Sequence, residues 1–285
     1  MSKLSGALKA LINASHARPG TLPAPKHIAT VYDGIATDAA SKNVGLPAWL
    51  TLSTAVTMTM NSPDSLLELH RVATASSSQR QKVYAAELMR EVGLKCISFN
   101  GIPRTINCLG AFHAGLPADI SSLLSKSPTR NYNESNINVS LRRGSGLWKS
   151  IYDPFDEKLT EKLAQSHPDL PVHIHDAHYS NLLSDPPKGS PELPKVGRVL
   201  TSLVAIACLR TQTGVGPQVL SHVFGLRKAY EDESYKSEGE QPVEGGKWLA
   251  NNDGSVWMLE LVDKVVGALS QGTGTTFAPG LRAKL

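Results

Sequence analysis

The sequence predicts an all-α fold, and three observations carry that prediction. Apolar residues recur at three- and four-residue steps in several segments, which is the spacing of one buried helical face. No long segment keeps the two-residue alternation that is typical of a half-buried strand. The chain has 285 residues, of which 41% are hydrophobic, so it is long enough to bury a large helical core.

Helices are predicted in order along the first half of the chain. Pro47 stands in the first turn of a helix over residues 48–60, because proline fits the first helical position. Ser62 and Pro63 open a second helix by the same rule, and residues 79–91 form an amphipathic third helix that ends at Gly93. We therefore predict an N-terminal extension over residues 1–44 and a helical domain that starts at residue 45.

The second half carries the clearest helical pattern. Residues 121–146 are rich in Ser, Asn, Arg and Gly and predict a long loop, which divides the domain into halves at about 45–120 and 150–270. One helix is expected after Asp153-Pro154, up to about residue 166. Further helices are expected over residues 196–208, after Pro217, and over residues 255–269. The domain ends at residue 270, and residues 271–285 are expected to form a flexible tail.

A faint internal repeat links the two halves. Each half contains a glycine, then a proline, then a histidine within one short segment. These residues are Gly101, Pro103 and His113 in the first half, and Gly214, Pro217 and His222 in the second half. The spacing differs between the two copies. The pattern therefore favours two pseudo-repeated halves that arose from a duplicated helical hairpin.

The charge and hydropathy patterns exclude two classes of partner. The 29 basic and 25 acidic residues leave a formal charge of +4, and adjacent basic pairs such as Arg142-Arg143 are isolated. A nucleic-acid surface needs a denser basic stripe, so no nucleic-acid partner is expected. Charges, Gly or Pro interrupt each apolar stretch before the roughly 18 residues that a membrane span needs. No membrane partner is expected either.

The cysteine pattern indicates a reducing compartment. Cys96, Cys108 and Cys208 are an odd number of cysteines without C-x-x-C spacing, and the start of the chain has no secretory apolar core. Disulfides are therefore not expected. We interpret all three cysteines as small buried packing residues rather than as nucleophiles.

The C-terminus of the chain fits a targeting signal, and the N-terminus resembles one weakly. The last three residues, Ala283, Lys284 and Leu285, fit the small-basic-leucine form of the peroxisomal address, which a receptor reads at an accessible C-terminus. The first 32 residues contain three lysines and one arginine but no acid, and residues 1–14 weakly resemble a mitochondrial presequence. We predict a peroxisomal protein that binds the peroxisomal import receptor. Mitochondrial and cytoplasmic locations are the alternatives.

The best candidate site lies at the start of the helix that Pro217 opens. Val215, Gln218 and His222 follow each other at steps of three and four residues, so they share one helical face. In a redox enzyme, this is the position where unpaired N–H groups and a nearby histidine activate a thiolate. No cysteine stands on this face.

Three segments carry a family resemblance. Residues 208–229, the opening Pro47-Ala48-Trp49 and the turn from Asn100 to Asn107 resemble the alkylhydroperoxidase-D-like (AhpD-like), or carboxymuconolactone decarboxylase, superfamily. The resemblance covers roughly residues 45–270 and rests on helix order and turn residues. It implies an AhpD-like helical fold and, because the family commonly forms oligomers, a homo-oligomer.

The peroxidase signature of that family is incomplete in this chain. The family's peroxidases carry a glutamate, then a C-x-x-C pair, then a histidine four residues after the second cysteine. His222 matches the histidine, but Val215 and Gln218 stand at the cysteine positions and the glutamate position falls near Leu203. Valine forms neither a sulfenic acid nor a disulfide. Thiol peroxidase activity is therefore not expected.

The resemblance implies a decarboxylase-like enzyme instead. It would be a lyase or hydrolase that needs no cofactor and acts on a small carboxylate or lactone, with His222 as general acid or base and Gln218 beside it. Arg104 and Asn107, which the resemblance places at the same cavity, would bind the carboxylate of the substrate.

The same residues also allow a structural interpretation. In this interpretation, His222 is hydrogen-bonded in a helix interface, and Arg104 caps the last carbonyls of a neighbouring helix. The protein is then a non-catalytic member of the family, used for binding or assembly.

A second group of residues predicts a metal site. His173, His175 and His178, with Asp176, are the densest group of potential metal ligands. In an extended segment, His173 and His175 lie on one side, and Asp176 or His178 completes a zinc or iron site. This pattern gives a further hypothesis, a metal-dependent oxygenase.

Overall fold

The described part of the chain is helical, as predicted. The computed structural model describes residues 4–14, 21–185, 193–237 and 239–274. Those residues form α-helices, a π-helix and a 3-10 turn, and they contain no strand. The all-α class is therefore confirmed, whereas an AhpD-like arrangement of the helices stays a prediction.

The helices follow in chain order. In the first half they are α1 Gly6–Ile12, α2 Ile28–Ser41, α3 Leu46–Thr59, α4 Pro63–Ala73, α5 Gln79–Lys95, α6 Ile97–Asn100, α7 Ile102–Gly115 and α8 Ala118–Ser121. In the second half they are α9 Ile137–Tyr152, α10 Asp156–Ser166, α11 Asp169–His173, the π-helix Ile174–Leu183, α12 Arg198–Gln212, α13 Gly216–Glu231, the 3-10 turn Ser234–Lys236, α14 Gly246–Leu249 and α15 Asn252–Ser270. Within these ranges, no helix is both long enough and apolar enough to cross a bilayer.

Local signals explain several helix starts. Pro47, Pro63 and Pro217 each stand in the first turn of a helix, as predicted, because the missing N–H of proline has no intrahelical partner to lose there. Ser78 opens α5 with a capping box, in which the side chain of Gln81 accepts the N–H of Ser78 at 2.8 Å.

The prediction that Gly93 ends the third helix was wrong. Helix α5 continues through this position to Lys95. Gly93 lies where α5 crosses α7, and a Cβ atom there would lie only 2.7 Å from the side chain of Leu109. The glycine therefore serves the close packing of two helices and does not terminate one.

The predicted loop over residues 121–146 was too long. Helix α9 begins at Ile137 and buries Ser140, Gly144, Trp148 and Ile151, which follow each other at steps of four and three. Two of these four residues, Ser140 and Gly144, are small and not apolar, so the hydrophobic pattern of the sequence does not show this buried face.

The first 44 residues also contribute to the core. Helix α2 buries Ile28, Tyr32, Ile35 and Ala39, and it packs against α3, α4 and α15. In contrast, α1 has no buried residue. The helical core therefore begins well before residue 45, inside the segment that was interpreted as an extension.

Two buried helices form the centre of the molecule. Helices α3 and α12 pack against each other, and every side chain over residues 48–59 and 198–209 is buried. Helices α2, α4, α5, α13 and α15 pack around this pair. The hydrophobic core is continuous across the predicted halves, because α3 belongs to the first half and α12 to the second.

A smaller cluster forms where α9 packs on the π-helix. We call it the aromatic cluster, and its buried apolar residues are Trp148, Ile151, Tyr179 and Leu183. Gly144 allows the two helices to touch, since a Cβ atom there would lie 2.1 Å from Oγ of Ser180 and 2.5 Å from its Cα.

Lys95 joins the main core to the aromatic cluster. Its side chain is fully buried, and its ammonium group donates to the carbonyls of Leu183 and Val196. The same group pairs with Asp185 at 3.1 Å. A charged side chain of α5 thus binds the end of the π-helix and the residues that lead into α12.

The predicted internal repeat has a structural counterpart in two turns. Gly101 precedes α7 with φ at +77°, and Gly214 precedes α13 with φ at +72°, a backbone region that favours glycine. Both helices then carry a proline in the first turn, Pro103 and Pro217. The likeness supports the hypothesis of two pseudo-repeated halves, which stays a prediction.

Candidate functional site

Helix α13 carries the candidate site from the surface into the interior. Val215 precedes the helix and is half-buried, Gln218 is exposed in the first turn, and His222 is only 5% exposed. Gln218 and His222 are one helical turn apart, so their side chains are neighbours on one face. A small molecule bound beside Gln218 would therefore lie next to the buried histidine.

A pair of tyrosines meets His222. Its Nε2 lies 3.3 Å from the hydroxyl of Tyr152 on α9, and that hydroxyl lies 3.1 Å from the hydroxyl of Tyr179 on the π-helix. The ring of Phe99 packs edge-on against the imidazole, with the ring centroids 6.2 Å apart. In the described structure, Nδ1 of His222 is buried and has no hydrogen-bond partner. One imidazole nitrogen is thus bonded to the tyrosine pair, and the other is open.

Burial determines the charge of these groups. Burial, with the positive charge of Arg198 nearby, lowers the pKa of His222 to about 4. Burial likewise raises the pKa of Tyr152 and of Tyr179. At neutral pH the site is therefore an uncharged imidazole beside two protonated phenols. A neutral imidazole keeps one donor and one acceptor nitrogen, as a group that transfers protons requires.

Arg198 connects three helices beside the histidine. It is 3% exposed, and it donates to Ser202 in its own helix and to the carbonyls of Ser150 on α9 and Gly225 on α13, at 2.7, 3.0 and 2.6 Å. Burial lowers its pKa to about 10, so it stays charged at neutral pH. Its Nε has no partner among the described residues.

Sequence reasoning missed Tyr152, Tyr179 and Arg198. Tyr152 is the last residue of α9, and most of α9 was predicted to be a loop. Tyr179 lies in a π-helix, whose five-residue spacing differs from that of the predicted α-helices. Arg198 gave a visible signal, because it is the one charged residue in the stretch from 198 to 209, whose side chains are all buried. A buried charge of this kind indicates a bonded or functional group.

Arg104 and Asn107 both lie on α7. The guanidinium group of Arg104 donates to the carbonyl of Thr59, the last residue of α3, at 2.5 Å. This contact is the helix cap of the alternative interpretation. Asn107 is exposed on the outer side of α7. The role of both residues in substrate binding stays a prediction.

The histidine cluster does not lie in an extended segment, so that expectation was wrong. His173 ends α11, and His175 and His178 belong to the π-helix. The rings of His173 and His178 are neighbours, with centroids 5.2 Å apart, whereas His175 packs on Trp148 at 4.5 Å. Across the described ranges, no group of three or more His, Cys, Asp or Glu residues is placed to hold a metal ion. The predicted three-ligand set is therefore not assembled there.

The three cysteines are buried, as predicted. The sulfur atoms of Cys96 and Cys208 are 3.5 Å apart, and all three thiols are free. Burial raises the pKa of Cys96, and it raises the pKa of Cys108 to about 12. Thiols that stay protonated are poor nucleophiles. Their burial therefore does not favour them as replacements for the cysteine pair that is missing beside His222.

Two clefts lie apart from His222. One has a volume of about 740 Å³ and is lined by α9, the end of the π-helix and the start of α12, including Arg198. The other, of about 360 Å³, lies along α5 beside two ion pairs, Arg90 with Glu87 and Arg130 with Glu91. His222 lines neither of them.

Comparison of the chain with family models, with curated proteins and with solved structures returned no match. The resemblance to the AhpD-like superfamily therefore stays a prediction from its motifs. The C-terminal residues Ala283, Lys284 and Leu285 lie outside the described residues, so the peroxisomal address also stays a prediction.

Proposed function

We propose that this protein is a cofactor-independent enzyme of the lyase or hydrolase type, which moves a proton on a small carboxylate or lactone. His222 is the general acid and base, and Gln218 holds a polar group of the substrate. The observation that supports this most is the open Nδ1 of a buried, neutral His222 whose Nε2 is bonded to Tyr152. Buried polar atoms are rarely left without a partner, and this one belongs to a group that can accept a proton, so we take it as the point where the substrate meets the protein.

The tyrosine pair allows His222 to accept a proton in a buried site. In the tautomer protonated at Nε2, the open Nδ1 takes a proton from a carbon next to the carbonyl of the substrate. The resulting imidazolium is costly in an interior with little water, unless other groups offset its charge. The Tyr152 hydroxyl accepts the Nε2–H bond, and the negative charge that develops on the substrate pairs with the ring. Nδ1 then returns the proton to a different carbon of the enolate; in the lyase reaction the carboxylate next leaves as carbon dioxide, and the electron pair of the broken C–C bond takes a proton from water.

In this proposal the enzyme is a homo-oligomer, and Arg104 and Asn107 bind the carboxylate of the substrate. Exposed apolar side chains support the oligomer, because four large ones project from the two helices that carry the candidate residues. They are Ile102 and Ile106 of α7, and Leu220 and Phe224 of α13, which are 59%, 65%, 56% and 58% exposed. Exposed apolar side chains spaced four residues apart on one helix favour burial against a partner. A second subunit on α13 would also shield Gln218 from water.

Proton exchange in D2O tests the catalytic role. Purified protein is incubated with a panel of unsaturated lactones and dicarboxylates, and proton NMR follows the loss of substrate protons to solvent. We expect exchange with the wild-type protein, a loss of at least about a hundredfold in His222→Asn, and a loss of about tenfold in Tyr152→Phe. His113→Asn is the matched control, since it removes an exposed histidine of α7 and should leave the rate unchanged.

The result for His222→Asn decides between the proposals. If this variant keeps its helical circular dichroism signal and still exchanges protons at the wild-type rate, His222 is not the catalytic group. The alternative is then a non-catalytic protein used for binding or assembly. The packing of Phe99 and Tyr152 against the imidazole, with neither described cleft reaching it, favours that alternative. An absence of turnover over the whole panel would support it.

We also propose that the protein is peroxisomal, with the import receptor as the partner of Ala283, Lys284 and Leu285. A fluorescent protein fused to the N-terminus leaves the C-terminus free and should label peroxisomes. Deletion of the last three residues should return the label to the cytoplasm. Mitochondrial labelling by a C-terminal fusion would instead support an address in the first 32 residues, which contain no acid.

A further inference from the structure

The cleft that contains Arg198 combines apolar and cationic surfaces. Its volume of about 740 Å³ is within the range of small-molecule sites. Its apolar side chains are Val139, Leu147 and Leu183, and its cationic side chains are Arg143, Lys195 and Arg198. A ligand that fits both kinds of surface has an anionic group and an apolar body.

The acidic side chains of the cleft are already bonded elsewhere. Asp185 pairs with the buried ammonium of Lys95 at 3.1 Å. Glu240 accepts the backbone N–H of Arg198 at 2.7 Å and so caps the start of α12. Gly197 makes room for this cap, because a Cβ atom there would lie 2.0 Å from the carboxylate. Among the described residues, neither carboxylate forms a salt bridge with a guanidinium group of the cleft.

Two guanidinium groups of the cleft keep open donors. Arg198 is 3% exposed, and its Nε has no partner in the part of the chain that the structure describes. Arg143 is half-exposed and forms no hydrogen bond or ion pair within the same ranges. Guanidinium groups bind carboxylates and phosphates through such N–H donors. The buried, unpaired Nε of Arg198 is therefore the strongest indication of a ligand.

We propose that this cleft binds a small organic anion, with its carboxylate or phosphate group on Arg143 and Arg198 and its apolar body against Leu147 and Leu183. Inorganic phosphate would fill only a small part of the cleft and leave the apolar side chains uncovered. His222 does not line this cleft, so the proposal does not rest on the proton transfer proposed above, although Arg198 belongs to the cleft and its charge also acts on His222.

Calorimetric titration of the full chain tests this site with three probes: hexanoate, hexyl phosphate and inorganic phosphate. We expect hexanoate or hexyl phosphate to bind at least about tenfold more tightly than inorganic phosphate, because only the first two cover the apolar side chains. The tighter of the two identifies the anionic group as a carboxylate or a phosphate. Leu147→Ala should lower the affinity for the alkyl probes and leave the affinity for inorganic phosphate unchanged.

Arg143→Gln is the decisive variant. It should lower the affinity for the more tightly bound alkyl probe by about tenfold, as expected for the loss of charged hydrogen bonds. Arg143 is chosen over Arg198 because it is half-exposed and supports no helix contact, so the variant should fold. Arg142→Gln is the matched control, since Arg142 is the exposed neighbour and does not line the cleft. Equal affinities of the two variants, or no binding of either alkyl probe at millimolar concentration, would overturn the proposal.

Discussion

The main core and the aromatic cluster bury polar groups of different kinds. In the main core, hydroxyl groups of α3 bond within their own helix, as Thr57 does to the carbonyl of Ser53 and Thr59 to that of Ala55, both at 2.7 Å. In the aromatic cluster, the indole nitrogen of Trp148 and Nε2 of His175 have no partner in the described structure. Hydroxyl groups of the main core can thus bond within their own helix, whereas these two ring nitrogens have no described partner.

The difference indicates which region carries chemistry. The main core also leaves hydroxyls of α3 without a partner, at Thr51, Ser53 and Thr54, but a hydroxyl there neither titrates nor carries charge. His222 and Arg198, where α12 and α13 meet the aromatic cluster, can transfer a proton or bind an anion. The main core is therefore the stabilising part, and the proposed function rests on the junction with the aromatic cluster.

The largest expected effect comes from breaking that junction at Lys95. Lys95→Ala removes the ammonium group that binds the carbonyl of Leu183 and the carboxylate of Asp185. A buried charge is then left unpaired and two helix ends lose a partner, so we expect the free energy of unfolding to fall by about 3–5 kcal/mol. Urea unfolding followed by circular dichroism measures this change.

Lys82→Ala is the control for that measurement. Lys82 lies on the same helix, α5, but its side chain is half-exposed and its ammonium group forms no hydrogen bond or ion pair with a described residue. We expect a change of less than about 0.5 kcal/mol. If the two lysine variants unfold at the same urea concentration, Lys95 does not hold the two regions together.

Acid should lower the free energy of unfolding through His222. Burial lowers the pKa of His222 to about 4, below the 6.5 of an ordinary histidine, so the folded protein binds fewer protons than the unfolded chain between these pH values. The stability that neutral His222 contributes is complete above the unfolded pKa and is lost as the pH falls toward the folded pKa. The difference is on the order of 3 kcal/mol. His222→Asn should remove that part of the pH dependence, which urea unfolding at about pH 7.5 and about pH 4.5 measures.

The comparison must be made between variants, because other histidines also respond to acid. Burial lowers the pKa of His70, His175 and His178 as well, so the wild-type protein loses stability in acid for several reasons. His113→Asn, which replaces an exposed histidine, should keep the wild-type slope. If the free energy of unfolding of His222→Asn changes with pH as steeply as that of the wild-type protein, the imidazole is not buried in its neutral form.

Helices α3, α4, α5, α12, α13 and α15 of the main core could be predicted from the sequence, whereas α2 and the helices of the aromatic cluster could not. Proline in the first turn, as at Pro47 and Pro217, is a local signal and needs no knowledge of the neighbours. The buried face of α9 includes Ser140 and Gly144, which do not register as apolar. The π-helix follows a five-residue rule that a search for α-helical spacing misses.

The candidate site was predictable only as far as its local spacing. His222 and Gln218 share a face because they are four residues apart in one helix. Tyr152 meets His222 from 70 positions away in the chain, through the packing of α9 on α13. Contacts of this kind depend on how helices pack, which a single sequence does not give. For the same reason, the helical spacing found His222 but not Arg198 and the tyrosines beside it.

A smaller effect tests whether the aromatic cluster is packed as closely as the structure shows. Gly144→Ala places a Cβ atom 2.5 Å from the Cα of Ser180, so we expect a loss of about 2–3 kcal/mol as α9 and the π-helix separate. Gly146→Ala, on the same helix, has no heavy atom within 4 Å and should gain about 0.5–1 kcal/mol from helix propensity. Urea unfolding compares the two. A gain in both would mean that α9 does not touch the π-helix at Gly144, and the bond between Tyr152 and Tyr179, which that contact positions, would not form.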